Sequence, residues 1–132
     1  MLFARRVFFW AGVYGIAVLV PMLFLEERIG RAYPPATNHP EQYYGFLAVA
    51  LAWQVAFLVI ARDVVRFRPL MLPAVLEKLV PAGFAVWLFL GGRIAGMALA
   101  PFLVDVLLGA LFLASWLRVP PRAPVAAAGP GA

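Results

Sequence analysis

Four runs of this chain are long and apolar enough to cross the hydrocarbon core of a bilayer, about 30 Å thick, which an α-helix spans in roughly 20 residues. They cover residues 7–25, 43–61, about 70–90 and about 94–117. No water is available inside a bilayer to satisfy backbone N–H and C=O groups, so runs of this length must be helices that bond internally. The expected fold is therefore all-α: a polytopic membrane protein whose residues 1–118 form a four-transmembrane-helix bundle, followed by a flexible cytoplasmic tail at 119–132. Composition agrees, since 65% of the residues are hydrophobic and only 13% charged, far from a soluble domain.

The formal charge of +5 does not point to nucleic acid, because the basic residues fall in short groups beside apolar runs and form no stripe with interleaved aromatics. Their distribution sets orientation instead. With the N-terminus inside, Arg5, Arg6, Arg62, Arg66, Arg68, Arg118 and Arg122 are cytoplasmic and only Arg28, Arg31 and Arg93 lie outside, which places both termini in the cytoplasm. The twin arginine of "ARRVFFWAG" reads as an anchor for the first helix and not as an export signal, because its apolar run is long and no small-residue cleavage site follows. Trp10, Tyr43, Tyr44 and Trp116 lie near span ends, where amphipathic rings favour the headgroup layer.

The first connection, "EERIGRAYPPATNHPEQ", is the long one. Glu27 and Arg31 stand four apart, so the first helix is expected to continue past the membrane edge to about Gly30. Pro34 and Pro35 impose extended backbone, and Pro40 suits the first position of the second span. Gly91, Gly92 and Arg93 predict a tight turn between the third and fourth spans. Two stripes of small residues, Gly45, Ala48, Ala52 and Ala56 in the second span and Ala110 with Ala114 in the fourth, read as packing seams between helices.

The polar residues inside the spans carry what functional signal there is. Tyr14, Gln54 and Glu77 lie at similar depth, roughly 10–12 Å from the arginine-rich edge at ~1.5 Å per residue, and Asp105 lies nearer the midplane. One polar layer drawn from all four helices follows if each turns its residue inward. Pro81 denies a donor to the carbonyl of Glu77, and Pro101 is expected to do the same to Met97, leaving free acceptors near both acids. Lys78 sits about 100° around the helix from Glu77 and is expected to snorkel toward lipid phosphates, with an ion pair to Asp105 or Glu77 as the alternative. Ionisable groups within a membrane are candidate functional sites by default.

Other chemistry is thinly represented. The chain has no cysteine, which removes disulfides, thiolate catalysis and cysteine-ligated metal, and its one histidine, His39, lies in the outer loop. No nucleophile–base set, glycine-rich phosphate loop or metal-ligand spacing is present. Enzyme activity would rest on the intramembrane acids with a bound cofactor, and a non-catalytic protein is the expectation.

Four short spans, a basic turn "RDVVRFRPLML" and an acid soon after it in "AVLEKL" resemble small bacterial four-helix membrane proteins of the DoxX-like sort. The resemblance implies an inner-membrane bundle. Some members are associated with redox or thiosulfate-linked processes, an activity that a chain without cysteine gives no reason to inherit. The leading functional expectation is a polar interhelical cavity, open toward the cytoplasmic half, that binds a lipid-like or quinone-like molecule through Glu77, Gln54, Asp105, Tyr14 and Lys78. The alternatives are an accessory subunit of a larger inner-membrane complex of respiratory or photosynthetic type, packed against other subunits or its own copies, and a component of a proton or ion pathway. No cofactor is identifiable beyond that lipid or quinone, and the bilayer is the one certain partner.

Overall fold

Every regular element is helical in the computed structural model, which describes residues 1–32 and 38–123. The helices are α1 (Leu2–Met22), α2 (Glu26–Ala32), α3 (Pro40–Arg62), α4 (Met71–Leu90) and α5 (Ala100–Arg118), with 3₁₀ turns at Arg68–Leu70 before α4 and Gly96–Leu99 before α5. Four segments, Leu2–Met22, Pro40–Arg62, Arg68–Leu90 and Gly96–Arg118, are long and apolar enough to cross a membrane, the architecture of a multi-pass membrane protein. The first begins five residues earlier than its apolar run, at Leu2 instead of residue 7. Arginine is a good helix former with a long apolar stem, so Arg5 and Arg6 extend the helix into the headgroup layer.

The first helix stops sooner than expected. Pro21 deprives its last turn of a donor, and the next amides, of Leu23, Phe24 and Leu25, bond back three residues to Val20, Pro21 and Met22. The Met22 carbonyl also accepts from the Tyr43 hydroxyl, at 2.7 Å. The chain then turns into a separate α2, which runs through Gly30 and carries the Arg31–Glu27 pair at 3.4 Å. Pro40 opens α3 as expected, behind an exposed His39 whose Nδ1 lies 3.1 Å from Glu41. Pro34, Pro35 and residues 124–132 of the tail lie outside the described residues.

α1 packs along α3 and α4 along α5; α1 and α5 join the two pairs, while α3 and α4 barely touch. Glycines set the close approaches. A Cβ on Gly12 would lie 2.8 Å from the Leu58 side chain and 2.9 Å from the Gln54 carbonyl oxygen, and one on Gly109 would press into Leu79. The small-residue stripes expected to do this work face outward instead: Gly45, Ala48, Ala52 and Ala110 are exposed, and Ala56 and Ala114 only half-buried. The reason is rotational. Leu47, Ala50, Gln54 and Phe57 are buried, and a stripe two residues out of step with them sits about 160° around the helix. Turning Gln54 inward takes its polar amide away from the apolar outer face and into the cavity-lining layer, which outweighs the small residues in setting the rotation.

The arginine-rich end is the tightly packed one. Phe8 stacks on Phe112 at 4.3 Å between centroids, and Phe57 meets Phe112 edge-on at 4.8 Å, with Ala4, Ile60, Met71 and Val119 buried around them. Arg68 ties this end together, donating from Nε to the Val119 carbonyl at 2.6 Å while its guanidinium lies 4.5 Å from the Trp116 ring centre. Val119 therefore belongs to the packed bundle and not to a loose tail. At the opposite end Gly92 turns the chain with φ +69°, in the left-handed region where glycine carries no steric penalty.

Candidate functional site

Lys78 is where the structure departs most usefully from expectation. It does not snorkel: only 8% exposed, it places Nζ 3.2 Å from Glu77 Oε2, 3.3 Å from Glu77 Oε1 and 3.2 Å from Asp105 Oδ1. The Phe57 ring centre lies 5.6 Å from the same ammonium. The route from Lys78 to the arginine-rich surface is filled by the phenylalanine cluster, and leaving would strand two carboxylates in a low-dielectric interior. Its four-carbon stem lets it curl back to its own neighbour, so consecutive positions converge on one point despite their different directions.

The trio is electrically unbalanced. With both carboxylates ionised against one ammonium it carries a net negative charge, and with one protonated it is neutral. It is also incompletely bonded, because Glu77 Oε2 is buried with no hydrogen-bond partner among the described residues, lying near the ammonium but outside hydrogen-bonding alignment. Unsatisfied buried oxygens are rare and call for an explanation such as a bound water, ion or ligand.

Gln54 faces the trio from α3. It is 2% exposed, and its Nε2 donates to the Ala50 carbonyl at 2.9 Å. Room for its carboxamide exists only because position 15 of α1 is glycine; any Cβ there would overlap the Gln54 amide group. Tyr14 stands beside it at the rim, half exposed.

Tyr14, Gln54, Glu77, Lys78 and Asp105 line one cavity of about 310 Å³, walled by all four long helices. Its remaining walls are apolar and include Val18, Met22, Phe46 and Phe102. Both prolines named from the sequence border it, in different roles. Pro81 lies inside α4 and leaves the Glu77 carbonyl without its helical donor, as expected. Pro101 falls in the first turn of α5, where no donor is needed, so no broken helix frees the Met97 carbonyl.

The cavity extends away from the arginine-rich end, toward Met22 and Phe46, and the phenylalanine cluster closes it on the other side. This reverses the expected opening. One of its sides is formed where α3 and α4 hardly touch. There an apolar groove of about 520 Å³, lined by Val49, Trp53, Leu76 and Val80, shares Phe46, Ala50, Glu77 and Pro81 with the cavity. This groove has no signal in the sequence, and Gly12, Gly15 and Ala50 show there only their small size and not the direction they face. Among the described residues no group of three or more His, Cys, Asp or Glu side chains is placed to hold a metal ion.

Comparison with family models, curated proteins and solved structures gives no match for the chain.

Proposed function

We propose that this protein is a non-catalytic, multi-pass membrane protein that holds an amphipathic molecule, lipid-like or quinone-like, with its polar head in the cavity and its apolar chain in the α3–α4 groove. One observation carries the reading: five polar side chains from four helices meet at a single cavity that shares four of its lining residues with an adjoining apolar groove. A cavity of about 310 Å³ lies within the usual range for small-molecule sites, about 300–1,000 Å³. A head with carbonyl or hydroxyl oxygens suits it, accepting from Lys78 or Tyr14, and a hydroxyl on that head would donate to Glu77 Oε2, which would gain the partner it lacks. The arginine distribution supports both termini on the cytoplasmic side, and a bacterial cytoplasmic membrane and the DoxX-like layout belong to this proposal through the resemblance alone.

Native mass spectrometry of gently extracted protein tests it. The wild type should retain one small molecule of defined mass, and Ala50→Phe, which fills the junction of cavity and groove, should release it while the helical content stays unchanged. A wild type that carries no such molecule, or carries only partner proteins, contradicts the reading and favours an accessory subunit.

A further inference from the structure

At the arginine-rich end a second hollow, of about 550 Å³, lies between the start of α1 and the end of α3. Arg5, Arg6 and Arg62 border it, and Phe9 and Leu58 continue its wall along the helices toward the bilayer interior. None of the three arginines pairs with a carboxylate among the described residues. The acid next in sequence to Arg62, Asp63, instead accepts from the Arg66 backbone N–H at 3.0 Å. Three other arginines of this end are differently engaged: Arg68 bonds the Val119 carbonyl, Arg66 lies 5.5 Å from the Phe67 ring centre and Arg118 lies 4.5 Å from the Phe3 ring centre.

We propose that this hollow is a binding site for one anionic phospholipid, its phosphate held by Arg5, Arg6 and Arg62 and its acyl chain laid against Phe9 and Leu58. Charge and depth both select that occupant. Three unpaired guanidiniums within one concavity match a phosphate, which arginine grips with two parallel hydrogen bonds. The position at the ends of two membrane-length helices puts them at headgroup level, with Phe9 and Leu58 on the bilayer side and Leu2 beyond the arginines. The site is independent of the central cavity: its lining shares no residue with it.

The competing explanation is diffuse attraction of the whole basic end for anionic lipid, and a charge-matched pair of variants separates the two. Protein in nanodiscs of equal phosphatidylcholine and phosphatidylglycerol is released into a native mass spectrometer and the retained lipids counted. The wild type should keep one phosphatidylglycerol in preference to phosphatidylcholine. Arg6→Gln with Arg62→Gln should weaken that retention by roughly fivefold for each arginine removed. Arg66→Gln with Arg118→Gln, which removes the same charge from the same end, should leave it within about twofold. Equal losses in the two double variants, or a wild type that retains both lipids alike, would overturn the site. Arg62→Lys guards against a folding artefact: it keeps the charge but loses the two-pronged grip, so with unchanged helicity its preference should fall between that of the wild type and that of Arg62→Gln, and a preference no higher than that of Arg62→Gln would overturn the electrostatic basis.

Discussion

Lys78 decides the character of the interior because it is the one cation facing two carboxylates in a space with little water. Removing one partner of such a set leaves buried charge uncompensated, so Lys78→Met should destabilise the protein by about 3–5 kcal/mol in reversible denaturant unfolding. Adding Glu77→Gln and Asp105→Asn to it should recover much of that loss, since replacing a whole buried ionic set is often neutral. A triple variant no more stable than Lys78→Met would show that the three groups do not act as a set. Gly15 matters for its missing atoms. Gly15→Ala should cost about 1–3 kcal/mol by displacing the Gln54 amide, and the penalty should largely disappear on a Gln54→Ala background, a coupling that a double-mutant cycle reads directly. Which residues were polar and at what depth could be read from the sequence. That Lys78 would turn inward could not, because snorkelling is closed off only by phenylalanines on three other helices.

The four spans themselves were legible, since length and apolarity suffice to define them and charge or proline marks most of their ends. Their rotations were not. In α3 the small residues and the buried residues lie on nearly opposite faces, and only the cost of exposing Gln54 to lipid says which face turns in. The end of α1 was misread for a related reason: an acid–base pair four apart argues for helix at Glu27–Arg31 but says nothing of the break before it at Leu23 to Leu25. The Arg68 bond to Val119 is the tie between the α3–α4 turn and the end of α5, and it reaches across 51 positions of sequence. Arg68→Ala should therefore raise amide exchange in the last turns of α5, at a cost of about 1–3 kcal/mol for a charged bond to a buried carbonyl, while α1 and α3 keep their protection. Unchanged exchange in α5 would mean that packing alone holds that end.

Taken whole, the bundle is asymmetric from end to end and from side to side. One end is packed by Phe8, Phe57 and Phe112; the other half encloses the polar cavity, with an apolar groove beside it between α3 and α4. The chain contains no cysteine, so single-cysteine variants report topology cleanly. Leu2→Cys and Ala123→Cys should react with an impermeant thiol reagent from one side of the membrane and Gly92→Cys from the other; labelling of Leu2→Cys and Gly92→Cys from the same side would contradict four crossings. The occupant of the cavity is tested most directly by photocrosslinking in native membranes, with a photoreactive phenylalanine placed at Phe102, on the cavity wall, and separately at Leu107, exposed on the outer face of the same helix. The account predicts that Phe102 captures a single small molecule of one mass while Leu107 captures the bulk lipid mixture. The same lipid mixture at both positions, or no adduct at Phe102, would contradict it.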